Sequence, residues 1–516
     1  MNPTHPPTTP TPPTPIDGSI EGITDRFPDS LSPVPGSVLV RIADSGAEVV
    51  TEGSPVAEAG RDWWPVAIGW AARGQVPARP GAVVRVSTVE QVSATLAACS
   101  RAAVPLTAVA GRSGVCGGSI PVFGGVALDC TGLVGDVDVD EESLVADVPA
   151  GIFGPDLEAE LATCGEGYTL GHWPQSMDLS TVGGWLACRG AGQYSTRYGK
   201  IEDMVLGLQV VLADGRIIET DGHAPRAATG PNLTQLFVGS EGTLGVITRA
   251  RFRVHPRPAA QGRRSFGFTD FSDGLDACRR ILRRGATPAV LRLYDRAESA
   301  RSFDRDDTCV LVVLDEADEV ILDATLGVVD AECRSAERLD EALVDRWLTH
   351  RNDVSALAPL WRAGVVVDTI EVSARWSVLA AMASDVMSAV SAVPGTLVTS
   401  VHESHAYPDG ACLYFTFAGR APDRAQRVPG TPLEGMEWEE AYYRQAWDTA
   451  IAEVVRHGGA ISHHHGIGLN RSRYLAGALG PSFDVLVAVK EALDPGGILN
   501  PGKLGMPTTF GDVPWR

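Results

Sequence analysis

The sequence predicts an α+β protein of two mixed domains in series, closed by a helical C-terminal segment. Three observations lead there. From Arg79 to about residue 256, short β-branched runs alternate with helical patterns. A Pro- and Arg-rich stretch, HPRPAAQGRR (255–264), then interrupts the pattern as a linker would. A second alternation follows, and EWEEAYYRQAWDTAIAEVVRHGG (437–459) and DVLVAVKEALDPGG (484–497) finish the chain at helical spacing.

Residues 1–18 are a Pro/Thr-rich tail, expected to be disordered, without the apolar centre of a signal peptide. Residues 19–77 are expected to form a helical segment. In it DWWPVAIGWAARGQ (62–75) reads as an amphipathic helix that packs Trp63, Trp64 and Trp70 on the core. The first mixed domain spans 78–257. AVVRVS (82–87) is a strand, and TVEQVSATLAACSRA (88–102) is a helix with Thr88 as its N-cap. VPLTAVA (104–110) is a strand that runs into GRSGVCGGS (111–119), and VLGLQVVLADGRIIET (205–220) is a hairpin turning at Asp214-Gly215. The second mixed domain spans 258–435, and the helical segment spans 436–516.

The 516 residues are 44% hydrophobic and 21% charged, an ordinary soluble composition. A formal charge of −21 gives no basic footprint, so nucleic acid is not an expected partner. Nine cysteines without a CxxC pair argue against a disulfide scaffold or zinc ribbon and fit a reducing compartment. No apolar run approaches the ~18–20 residues of a membrane helix, and the expected location is cytoplasmic.

A strand ending in glycines brings several backbone N–H groups close to a pyrophosphate, because no Cβ blocks the approach. GRSGVCGGS holds Gly111, Gly114, Gly117 and Gly118. It is neither GxGxxG nor a Walker loop. A glycine turn need not hold a ligand, but three further segments accompany it: PQSMDLSTVGGWLACRGAG (174–192), YGKIEDMV (198–205) and GSEGTLGVIT (239–248). Two glycines at a strand entry usually mark close backbone approach.

The order and spacing of these segments resemble the FAD-binding domain of the vanillyl-alcohol oxidase and p-cresol methylhydroxylase superfamily, over about residues 78–510. The resemblance implies a two-subdomain FAD-binding fold, an α+β cap domain and a helical C-terminal segment that completes the active site. It implies that Ala108, Val109, Ala110, Gly111, Arg112, Ser113, Gly114 and Gly118 wrap the pyrophosphate. Pro174, Gln175, Ser176, Ser180, Thr181, Gly183 and Gly184, with Cys188, Arg189, Gly190 and Ala191, would line the flavin side. Glu241, Gly242, Thr243, Leu244, Gly245, Val246 and Ile247 would reach the cofactor through backbone groups. Some relatives attach FAD through a histidine of the first glycine loop. This loop has none, and Cys116 reads as a bystander, so the expectation is non-covalent FAD.

Two clusters carry the chemistry: VHESHAYPDGACLYFTF (401–417) and ISHHHGIGLNR (461–471). A histidine run can be a plain solvated turn, or a metal site with His402, Glu403 and His405 as further ligands. In hydroxy-acid dehydrogenases of this superfamily the clusters read HxGDGNxH and GEHGIG and can hold a metal. Here Tyr414 replaces the final His and His464 replaces the Glu, so no metal is expected. PDGACLYF, SHHHG, PQSMDLSTVGGW, GSEGTLGVIT and AVLRLYD resemble the alkyldihydroxyacetonephosphate synthase family instead. That resemblance implies exchange of the acyl group of acyl-dihydroxyacetone phosphate for a long-chain alcohol through a flavin N5 adduct, a step of ether-lipid synthesis. Tyr414 would be the acid/base, His463, His464 and His465 would orient substrate and move protons, and Arg292 would be required for activity. Arg362 would bind the phosphate. The segment around it is shorter than the family's, and LNPGKLG (499–505) follows the dehydrogenase ending, which keeps an FAD-dependent oxidoreductase of D-2-hydroxy acids as the alternative. A small or lipid-like substrate, peripheral membrane contact and a homodimer complete the expectations.

Overall fold

A computed structural model describes residues 15–16, 19–221, 224–421 and 436–515. The Pro/Thr-rich tail thus lies outside the described residues except for Pro15 and Ile16. In chain order the strands of the three large sheets are β1 (Glu48–Val50), β2 (Ala82–Arg85), β3 (Leu106–Val109), β4 (Val126–Asp129), β5 (Asp138–Asp140), β6 (Val145–Pro149), β7 (Val205–Val211), β8 (Ile217–Glu219), β9 (Val246–Arg253), β10 (Ala260–Phe268), β11 (Val290–Tyr294), β12 (Cys309–Ala317), β13 (Glu337–Arg338), β14 (Val365–Arg375), β15 (Thr396–Tyr407) and β16 (Gly410–Arg420).

The first sheet runs β1-β2-β4-β3, with β2, β4 and β3 parallel and β1 antiparallel at the edge. Its crossover helix, Val89–Ala102, begins as predicted: Thr88 Oγ1 accepts the Gln91 N–H at 3.3 Å. The second sheet, β8-β7-β9-β6-β5, is antiparallel throughout. Its β7-β8 hairpin turns at Asp214-Gly215, where Gly215 has φ +90°. The third sheet, β13-β10-β12-β11-β15-β16-β14, is antiparallel as well. Helices Phe271–Arg283, Glu319–Glu332 and Trp376–Ser391 cover one of its faces. Among the described residues no helix is long and apolar enough to cross a membrane.

The structure corrects three expectations. Residues 19–77 are not purely helical, because β1 joins the first sheet and Thr24–Asp25 pairs with Gln75–Val76. Runs of two or three residues are too short for alternation to register. Helix Pro65–Ala71 is buried on every side rather than amphipathic, and Trp64, Trp70 and Trp515 meet edge to face at 5.0–5.5 Å. The stretch 255–264 is mostly sheet: His255–Pro256 pairs with Tyr168–Thr169, and β10 begins at Ala260.

The C-terminal segment is more than helical. After helix Ser482–Leu493 the chain returns to the first domain. Leu106 N–H donates to Ile498 O at 2.8 Å and Asn500 N–H to Leu106 O at 2.7 Å, so Ile498–Asn500 covers the open edge of β3. Asn500 Nδ2 then donates to both Gly118 O (2.9 Å) and Glu241 O (2.6 Å), tying two glycine-rich segments together.

Candidate active site

The glycine-rich segments converge. A Cβ on Gly111 would stand 2.0 Å from Leu179 O, one on Gly239 3.2 Å from the Arg189 side chain, and one on Gly242 3.7 Å from Ala108 Cβ. The glycines fall into two kinds. Gly111, Gly183 and Gly245 are required by protein packing; a Cβ on Gly245 would lie 2.5 Å from Val210. Gly114, Gly118 and Gly190 are different. Their φ is not left-handed and a Cβ would meet nothing nearer than 3.5 Å. Packing does not explain glycine at these three positions, whereas close approach of a ligand does. With Thr181 capping helix Val182–Cys188 through the Gly184 N–H (3.3 Å), the cradle fits a pyrophosphate-bearing cofactor. Leu244, Val246 and Ile247 are committed to the hydrophobic cores of the first domain, so from Leu244 onward the segment supports the cradle from behind.

The catalytic candidates lie on the third sheet and the loop 461–471. Register places Tyr294 beside His402, His402 beside Tyr414, and Tyr414 beside Glu371, one row across four strands on a single face. A bulge between Glu403 and His405 brings His405 to the same face. Glu403 lies buried on the opposite face between Leu293 and Leu413, so His402, Glu403 and His405 cannot share one ion.

Glu371 organises the cluster. Its carboxylate accepts Ser462 Oγ (2.9 Å), the backbone N–H groups of His463 (2.5 Å), His464 (3.0 Å) and His465 (3.0 Å), and Arg471 Nη1 (2.8 Å). Burial pushes its pKa up, but Arg471 and these donors outweigh burial and hold it at about 2. The three histidines thus sit on a fixed turn around one buried anion. Burial lowers all three, His465 to about 4, so they are neutral at pH 7. His465 Nε2 is 3.1 Å from the Tyr414 hydroxyl, whose pKa burial raises. The His402 ring stacks on Tyr414 at 4.9 Å.

Glu371, Cys412, His463 and His464 bring possible metal-ligand atoms within 4.8 Å of one another. Yet five donors already occupy a carboxylate that offers about four lone-pair positions. Burial also raises the Cys412 thiol far above its usual range. The group is a hydrogen-bonded core and not a ready ligand set.

Arg292 joins the same row. Its Nη2 is 2.6 Å from His402 Nε2, and His402 Nδ1 is 2.7 Å from Glu298 Oε2. Arg292 has only N–H groups to offer, so His402 Nε2 accepts and Nδ1–H donates to Glu298. Burial opposes the charge on Glu298, while His402 and Arg301 hold its pKa at about 2. Arg362 stands apart. It is exposed, donates to Pro15 O at 3.4 Å, and precedes β14, in which Glu371 lies six residues (about 20 Å) beyond Val365. The structure does not bring it to the cluster.

The motifs did not point to Glu371, Glu298 or Glu241 as anchors. Glu241 Oε1 and Oε2 accept the N–H groups of Ile467 (2.5 Å) and Gly468 (2.9 Å). Lys200 Nζ donates to His463 O at 2.7 Å. For Glu371 and Glu241 the signal in the sequence was a charged residue inside an apolar or glycine-rich run, whereas Glu298 lies among the charged and polar neighbours Asp295, Arg296, Ser299 and Arg301 and gave none.

This geometry defines a class: a glycine-lined cofactor cradle in a two-part domain, faced by a sheet that carries the catalytic candidates. Comparison with known proteins agrees. Residues 80–221 match the FAD binding domain family, and residues 257–504 match the C-terminal domain of FAD linked oxidases. An Escherichia coli K12 protein, described as the uncharacterized FAD-linked oxidoreductase YgcU, is 30% identical over 442 residues, 82% of this chain and 89% of that protein. Alkyldihydroxyacetonephosphate synthase of Dictyostelium discoideum is 28% identical over 471 residues, 84% of this chain and 74% of that enzyme. A solved structure of an alkyldihydroxyacetonephosphate synthase aligns with a TM-score of 0.75 at 24% identity, covering 97% of this chain and 89% of that one. The chain belongs to the family of FAD-linked oxidoreductases, and its cofactor is FAD.

Proposed function

We propose that this protein exchanges the acyl group of an acyl-dihydroxyacetone phosphate for a long-chain alcohol, giving the alkyldihydroxyacetonephosphate for which its Dictyostelium relative is named. The observation that carries the reading is the Tyr414 hydroxyl 3.1 Å from His465 Nε2, backed by two more histidines kept neutral by burial. Neutral imidazoles accept and return protons, and a tyrosine of raised pKa stays protonated at rest, so it takes a proton only as it passes its own to the imidazole it touches. In this reading Tyr414 moves the proton of the substrate carbon and His465 relays it. His463 and His464 fix the substrate's oxygen atoms, while His402 holds the Tyr414 ring in place. FAD, held without a covalent link by the glycine-rich segments at 108–118, 174–192 and 239–248, would supply the covalent partner for the substrate carbon. Purified flavin-loaded protein given acyl-dihydroxyacetone phosphate and hexadecanol releases fatty acid and forms the ether. Absence of both products, with the flavin intact, rejects this function.

A second reading, oxidation of a D-2-hydroxy acid, is supported by the oxidoreductase relative and by the LNPGK ending. That ending is structurally engaged: Lys503 Nζ donates to Ile120 O at 2.7 Å behind the glycine loop. Anaerobic bleaching of the flavin by D-lactate or glycolate tests it. A spectrum that stays oxidised across a panel of such acids removes it.

A further inference from the structure

The aromatic segment at Trp63 and Trp64 does more than fill the core. Between helices Ser54–Glu58 and Pro65–Ala71 the chain is stitched to the first glycine loop. The Trp63 N–H donates to Gly114 O at 2.9 Å, and a Cβ on Gly117 would stand 3.1 Å from the Trp64 ring. Asp62, which precedes them, is 1% exposed. Its Oδ1 accepts the Trp64 N–H at 3.0 Å. Its Oδ2 is buried without a hydrogen-bond partner, 3.6 Å from the place a Cβ on Gly114 would take. Gly114 is itself exposed, and it is one of the three glycines that packing leaves unexplained. An unsatisfied carboxyl oxygen thus stands directly behind the loop where the cradle opens.

Among the described residues Asp62 forms no ion pair. Its neighbour Arg61 is taken by Glu58 at 2.7 Å. Lys503, from the LNPGKLG ending, donates to Ile120 O, and its charge acts on both Asp62 and Glu241. Glu241 flanks the same loop, 3.8 Å from the place a Cβ on Gly118 would take, but its oxygens are engaged by Ile467 and Gly468. Burial raises the Asp62 carboxyl to about 7, against the pull of the Trp64 N–H, Lys503 and the N–H groups of Ser119 and Gly117. An ionised Asp62 draws those N–H groups toward itself. It also sets a negative charge behind a loop that has to receive an anionic pyrophosphate. A protonated Asp62 does neither.

We propose that Asp62 is a positioning residue of the FAD site, acting through the turn 114–119: it holds the cofactor firmly while protonated and loosens it when ionised. The inference goes beyond the reaction, because FAD is the cofactor under either reading of the chemistry. Binding of FAD then takes up a proton, and affinity falls as the pH rises through the range in which the carboxyl ionises.

Purified holoprotein is diluted serially at about pH 6 and at about pH 8.5, and released FAD is read by its fluorescence. The wild-type dissociation constant should rise about tenfold between the two, one pKa unit of coupling. Asp62→Asn keeps the acceptor for the Trp64 N–H and is neutral at every pH. It should bind FAD at the higher pH more tightly than wild type does, with a dissociation constant that changes less than about twofold across the range. Loss of a merely structural contact does not tighten binding. A wild-type constant independent of pH overturns the proposal, as does a slope of wild-type size in Asp62→Asn. If Asp62→Asn does not hold flavin, the wild-type holoprotein decides. FAD released by potassium bromide in weak buffer near neutral pH should give up a proton to an indicator dye, and release without a proton overturns the proposal.

Discussion

Two buried glutamates grip the same loop from opposite sides, and their electrostatics differ. Glu241, from the cofactor domain, accepts the backbone N–H groups of Ile467 and Gly468. Glu371, from the third sheet, accepts those of His463, His464 and His465. Glu371 has a buried counter-ion in direct contact, Arg471, and its pKa falls to about 2. For Glu241 burial dominates, partly offset by its two backbone donors and by Lys503 and Arg471, and its pKa rises. Backbone donors alone do not compensate the burial of a charge, whereas a contacting guanidinium does. The loop is thus pinned firmly where the histidines sit and more softly where it meets the glycine loop.

Glu371→Gln is the strongest way to break the contrast. It strands Arg471 as an unpaired buried charge and should cost about 3–5 kcal/mol of stability by denaturant titration, together with most of the activity. Retention of wild-type stability would reject Glu371 as the anchor. Tyr414→Phe removes only a hydroxyl on that side, so turnover should fall about 10²–10⁴-fold while flavin content and melting temperature stay within error. An active Tyr414→Phe enzyme would remove Tyr414 as the acid/base. Glu298→Gln tests whether the same row depends on a fixed His402 tautomer. Turnover should drop about tenfold with a displaced pH profile, and Glu298→Asp should restore part of both. A variant with an unchanged profile would make Glu298 purely structural.

The pH dependence separates the two glutamates most finely. Glu371 has a folded pKa near 2, against an unfolded 4.5. Its contribution is complete above about pH 4.5 and disappears as the pH falls toward 2. Glu241 is shifted the other way: ionising it costs stability above its raised folded value, and that cost vanishes on acidification toward 4.5. Glu241→Gln should therefore change stability by no more than about 1 kcal/mol near neutral pH. Acid unfolding should flatten below pH 4.5 for Glu371→Gln, whereas Glu241→Gln should leave that range unchanged and remove a gain in stability on acidification above it. Identical acid profiles for the two variants would erase the distinction.

The cofactor is legible in the amino-acid sequence because its signal is local. The loop 108–118 and the segments 174–192 and 239–248 each need several small residues in succession, a requirement visible along the chain. The reactive cluster is partly legible: Tyr414 and His463–His465 lie in two short motifs. Arg362 misleads because its motif is shortened, and the strand after it carries Glu371 about 20 Å along the sheet. The short strand β1 and the sheet content of 255–264 escape because two- and three-residue pairings carry too little periodicity.

The sequence by itself determined the α+β class, the FAD cofactor and the two motifs that hold Tyr414 and His463–His465, because each is encoded by neighbours a few residues apart. Only the tertiary structure decided which groups act together. Strand register set Glu371, Tyr414, His402 and Tyr294 in one row, and the bulge after Glu403 added His405. The physical reason is that a buried charge or an unsatisfied N–H is resolved by whatever lies beside it in space, and those neighbours are separated by dozens to hundreds of residues in the chain.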